Sequence, residues 1–298
     1  MRPVTRIISS LFVLAVAACV QPPGAIEFAA FTQQFERTRT ATETWLDVLA
    51  VAERDTFERA NPVAKRNVFK LEDVPYLAPS ADPPVTAAYR RGFDVVTRYN
   101  EVLLSYATGE AASARVDRFA GLASSALTLA TSFGATSLGA TGLTGPAKSV
   151  AEKLNPVADP VKEIAAMALA YKDGQDFRDE VINDTDSVVK LLEGMRDGAP
   201  VLFDFFTAKE AGDSALAAVG LGSGDAEAAS SRLADRRREA ASLLAEWVLM
   251  MDKSIAALRA AQTAAKTGGR LDIATAEAAL ADISRGADQI RRILATMR

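Results

Sequence analysis

The sequence predicts an all-α protein, an elongated antiparallel bundle of about five to seven helices. Three observations carry this expectation. Apolar residues recur at alternating steps of three and four along most of the chain. No segment shows the period-two alternation of a strand. The last proline is Pro200, so everything after it is free of the strongest helix breaker. The chain of 298 residues is 49% apolar and 24% charged, the balance of a folded chain rather than a disordered one.

The N-terminus is a separate matter. Arg2 and Arg6 make a short basic start. Ile7 to Ala18 then carries no charge. As a helix this run reaches about 18 Å, well short of the roughly 30 Å needed to cross a bilayer. It reads as the apolar region of a signal peptide over residues 1–18. The run ends in Val16-Ala17-Ala18-Cys19, which resembles the lipobox of bacterial lipoproteins, with Val16 where leucine is more usual. The resemblance is confined to residues 1–20. It implies cleavage before Cys19, diacylglycerol on its sulfur and acylation of the new amino group. Several acyl chains, at about 0.8 kcal/mol per buried CH₂, anchor a protein stably to a membrane. Val20 stands where an aspartate would retain the protein in the inner membrane, so the resemblance implies the periplasmic face of the outer membrane. Residues 19–25 are then a lipidated tether, stiffened by Pro22 and Pro23. Residues 26–298 form a single helical domain.

The first helix follows from Phe28, Phe31, Phe35, Thr38, Thr42, Trp45, Leu49 and Ala52, all on one stripe. Its two threonines weaken the middle of the seam. Asn61-Pro62 stops it. Residues 62–84 hold five prolines and predict an irregular loop, pinned by Val68, Phe69, Leu71, Tyr76 and Leu77. Pro84 suits the first turn of the next helix, with Tyr89, Phe93, Val96, Asn100, Leu103 and Ala107 inward. After a break at Thr108-Gly109 the pattern resumes as Phe119, Leu122, Ala126, Leu129 and Phe133. Glycines predict a turn over 134–146. One helix is expected from Val161 to Met195, one from Val201 to about Val219, and a glycine-rich loop over 220–225. A long helix should cover 226–267 with Leu244, Trp247, Met251 and Leu258 inward. Gly268-Gly269 ends it, and Asp272 caps a last helix carrying Ile283, Ile290 and Ile293.

Composition excludes much chemistry. The chain has no histidine, and Cys19 is its only cysteine. A Ser-His-Asp or Cys-His site cannot be built, nor a Cys/His zinc site, nor a Glu-x-x-His di-iron site. No cofactor or metal site is expected. Net charge is −4, falling to −6 without the first eighteen residues, so nothing favours nucleic acid. Gly220-Leu-Gly222-Ser-Gly224-Asp225 lacks the dinucleotide spacing, and in Gly145-Pro-Ala-Lys148 the lysine does not follow glycine directly, so neither is a nucleotide loop. Asp173, Asp176, Asp179 and Glu180, interleaved with Lys172 and Arg178, read as a solvated helix face, as do Arg236, Arg237 and Arg238. The expected function is non-enzymatic: a scaffold that binds a protein partner in the envelope, held to the membrane by lipid on Cys19. The alternative is a membrane-active helical protein in the manner of α-helical pore formers. There the inserting element would be residues 119–147, which hold no Asp, Glu, Lys or Arg.

Overall fold

Phe28, Phe31, Phe35, Trp45, Leu46 and Leu49 are fully buried along one side of a single helix, which is why residues 25–60 fold as they do. A computed structural model of the chain describes residues 22–62, 68–138, 157–171, 176–220, 223–268 and 273–297. These are all-α. In chain order the helices are α1 (Ala25–Ala60), a single turn α2 (Val74–Leu77), α3 (Pro84–Ala107) and α4 (Ala112–Leu138). They continue as α5 (Ala158–Leu169), α6 (Phe177–Asp197), α7 (Ala199–Gly220), α8 (Ser223–Thr267) and α9 (Ile273–Met297).

Helices α1 and α8 form the central antiparallel pair. The Thr38 and Ser254 hydroxyls meet at 3.1 Å, and the Trp247 indole N–H donates to Thr42 Oγ1 at 3.1 Å. The threonines that weaken the apolar seam are therefore the contacts that fix its register. Trp45 meets Trp247 edge to face at 5.3 Å between centroids. Helix α3 returns along α1, placing Phe93 on Phe35 and Tyr99 on Phe28. Helix α6 closes the core, with Tyr99 hydrogen-bonded to Thr185 and Gln262 donating to Ile182 O and to Asp186. Helices α4 and α5 cover α3 and α6, while α7 and α9 lie against α1 and α8.

The bundle has two poles. At one, the start of α1 meets the start of α6, with Phe28 on Phe177 at 5.9 Å, and Arg178 donates to Ala265 O near the end of α8. The chain enters here. Gly24 adopts φ 86° so that its backbone can lie against Ala261 and Ala265, where any Cβ would come within 3.0 Å. The other pole holds the end of α1, residues 68–83 and the start of α3. Helix α1 has 36 residues, so the poles lie about 54 Å apart along it.

Several expectations need correction. The helix expected over 161–195 is two: α5 ends at Leu169, and Asp176 starts α6 by accepting from Asp179 N–H at 2.9 Å. Of the turn expected over 134–146, residues 134–138 belong to α4, and the rest lies outside the described residues. The loop expected over 220–225 is shorter, because Gly220 still belongs to α7 and Ser223 already to α8. Ala25, assigned to the tether, is the first residue of α1. Cys19, Lys148, Asp173 and Asp272 lie outside the described residues. Among the described residues, no helix is long and apolar enough to cross a membrane.

Candidate functional site

The far pole is built on a buried carboxylate. Glu53 continues the inward stripe of α1 one turn after Leu49, where an apolar residue would be expected. Its oxygens accept Val85 N–H at 2.9 Å, Thr86 N–H at 3.0 Å and the Thr86 hydroxyl at 3.1 Å. These are amides that the first turn of α3 cannot satisfy itself, and the Pro83 ring offers no acceptor to cap them. One carboxylate on α1 thus caps α3 from outside. Burial pushes the Glu53 carboxyl up to about 7, against the pull of those hydrogen bonds.

The intervening loop is fastened from Tyr76 onward. On the outgoing side Tyr76 is buried and stacks on Phe57 at 4.1 Å and 2°. On the returning side Arg54 donates to Ala81 O at 2.5 Å. Arg90 of α3 ties Asp82 of the loop, at 3.0 Å, to Glu43 and Asp47 of α1. Ahead of these fastenings the expected pinning fails. Val68, Phe69 and Leu71 are 71%, 69% and 83% exposed, and Leu77 is also exposed. Only Tyr76 of the five apolar residues is covered. Lys70 and Glu72 lie among them, 3.5 Å apart and both exposed. Three adjacent large apolar side chains in water are unusual for a domain whose core is so well covered. Burying each fully would contribute about 1.5–3 kcal/mol. The arrangement is an exposed apolar tip followed by fastened chain.

A second cluster lies at the pole where the chain enters. Glu180, expected on a solvated face, is only 4% exposed, while Asp176 and Asp179 do stay exposed. Phe177 and Val181 carry Glu180 inward with their own stripe. Burial raises the Glu180 carboxyl to about 8, with a hydrogen bond to Asp184 and the charges of Asp184, Asp179 and Asp176 adding to it. Burial raises Asp184 as well, although Glu180 offsets part of this. The two carboxyls share a proton near neutral pH. Over them sits an aromatic layer: Phe119 stacks on Tyr171 at 4.2 Å, Tyr106 meets Phe119 at 6.2 Å, and the Arg115 guanidinium lies 4.8 Å over Tyr106. The Tyr106 and Tyr171 hydroxyls are buried without a well-formed hydrogen bond.

This cluster gives a pH prediction. The folded state holds protons on Glu180 and Glu53 that the unfolded chain gives up near pH 4.5. The contribution of these two groups to stability is therefore fully present below about pH 4.5 and is lost as pH rises through about 7–8. Thermal unfolding followed by circular dichroism is expected to show Tm falling over that interval, by roughly 2–4 °C per kcal/mol lost. Glu180→Gln should flatten the decline. A Tm that rises over the interval contradicts the shared-proton arrangement.

Other features are quieter. A groove of about 500 Å³ runs between α1 and α9, lined by Gln33, Arg37, Thr40, Thr44, Ser284 and Arg291. It mixes both charge signs, with Glu36 and Asp288 beside Arg37 and Arg291. Among the described residues, no three acidic side chains gather to hold a metal ion. Arg238 pairs with Asp235 and Arg236 with Glu239 along α8. Within the uncharged 119–147 stretch, Phe119, Leu122, Ala126 and Leu129 are buried in the core. Its part beyond Leu138 lies outside the described residues. No protein-family model matches the chain, and neither a curated protein nor a solved structure shows significant similarity to it.

Proposed function

We propose that this is a lipid-anchored helical protein of the bacterial envelope that docks a partner on Val68, Phe69 and Leu71 and carries out no reaction itself. One observation carries the docking reading: these three side chains are exposed together at a tip, directly before residues that Tyr76, Arg54 and Arg90 fasten to α1 and α3. The anchoring reading rests on the lipobox at Cys19, and the outer membrane follows from Val20. Lipid on Cys19 would place the tip about 54 Å from the tether, measured along α1.

The test has two arms in the full chain. Cys19→Ala is expected to abolish metabolic palmitate labelling and release the protein from membranes. Equal labelling ends the lipoprotein reading. Val68→Ser, Phe69→Ser and Leu71→Ser combined should leave Tm within a few degrees, since exposed substitutions each change stability by about 0.5 kcal/mol or less. The same variant should lose the chemically crosslinked complex that the unaltered protein forms in membranes. Retention of that complex removes the tip as the docking surface.

A further inference from the structure

We propose that the groove between α1 and α9 binds a free dipeptide, with its carboxylate on Arg37 and its ammonium on Asp288. The groove follows from helix direction and from two small residues. On α9, Asp282 pairs with Lys253 and Gly286 lies against Met250, so α9 runs antiparallel to α8 and parallel to α1. Arg37 donates to Ser284 at one end of the groove. Further along the same two helices, Thr44 and Arg291 stand at the other end. Between the ends both helices present alanine. Ala41 and Ala287 are buried and form the floor, where larger side chains would have filled the space. The trough above them holds about 500 Å³. Sites for small ligands span about 300–1,000 Å³.

The class of ligand follows from which charges already have partners. Glu36 pairs with Arg39 at 3.1 Å. Arg37 has the neutral Ser284 hydroxyl, and among the described residues no carboxylate pairs with it. A guanidinium presents its N–H donors as a planar fork that fits a carboxylate. Asp288 is held by Arg291 of the same helix, in an exposed pair that a competing cation displaces at little cost. Asp288 follows Ser284 by one turn, so the unpaired cation and the exchangeable anion stand about 6 Å apart along the axis. An extended dipeptide spans about 7 Å. A single amino acid falls short of both charges, and a longer peptide carries its ammonium past Asp288 to Arg291. The Thr40 hydroxyl donates to Glu36 O at 2.8 Å and so turns its lone pairs toward the peptide N–H.

The test titrates Ala-Ala into the full chain and follows binding by calorimetry. Saturable, millimolar binding is expected, in keeping with so small a ligand on an open site. Ala-Ala amide and N-acetyl-Ala-Ala each lack one of the two charges. Each should bind roughly tenfold more weakly, the equivalent of ~1.4 kcal/mol. Arg37→Gln and Asp288→Asn should each weaken Ala-Ala to the same degree. Both should leave Tm within a few degrees, because both side chains are exposed. Absence of saturable binding overturns the proposal, as does equal affinity for the capped and uncapped dipeptides. Undiminished affinity in either variant overturns the seating of that charge.

Discussion

Trp247→Ala is expected to destabilise the protein by about 3–5 kcal/mol, the range for truncating a fully buried aromatic. Trp247 is fully buried where α1, α3 and α8 meet. It touches Trp45 at 5.3 Å and Tyr89 at 6.0 Å, and its N–H donates to Thr42. Alanine leaves a cavity that three helices would have to shift to fill. The two tryptophans supply an internal control, because the buried Trp45 N–H has no hydrogen-bond partner. Trp247→Phe loses a hydrogen bond, whereas Trp45→Phe removes an orphan donor. Urea unfolding should therefore rank Trp247→Ala as the worst and Trp45→Phe as the mildest, with unchanged slope. Equal midpoints for the two phenylalanine variants would refute the role given to the Thr42 contact.

The second large effect is expected at Glu53. Glu53→Ala leaves the amides of Val85 and Thr86 buried without an acceptor, and each such group costs about 1–3 kcal/mol. A total of about 2–6 kcal/mol is expected. The damage should be local before it is global: amide exchange should accelerate in the first turn of α3 and in residues 78–83 at denaturant levels that leave α8 protected. Glu53→Gln keeps one acceptor oxygen but turns an amide donor toward either the Val85 or the Thr86 N–H, so it should lie between wild type and Glu53→Ala. Uniform acceleration across all helices would show that Glu53 merely fills space.

The bundle was legible because periodicity encodes it. Phe28, Phe31, Phe35, Trp45 and Leu49 are buried where their spacing places them, as are Trp247, Met251 and Leu258. The break between α5 and α6 was not legible: apolar spacing continues through it, and Gly174 alone does not forbid a helix. The tip was misread for a different reason. Val68, Phe69 and Leu71 are apolar, but a proline-rich loop has no repeating face, and composition does not say whether a wall exists to receive them. Glu53 and Glu180 were missed because charge was taken as a mark of the surface. The usable signal was position, since each acid stands where an apolar stripe should continue. Their partners, the Thr86 amide and the Asp184 carboxyl, depend on how helices meet, which single-chain spacing does not carry.

The α1–α8 pairing joins residues more than two hundred positions apart, Thr42 with Trp247 and Thr38 with Ser254. A ribosome must therefore release most of the polypeptide before the first amphipathic segment meets its mate. Until then α3 alone can cover Phe28 and Phe35, the side of α1 that meets α8 stays open, and closure waits on a long diffusive search. Maturation of this molecule is governed at its last third, where a late nonsense codon would strand everything made earlier.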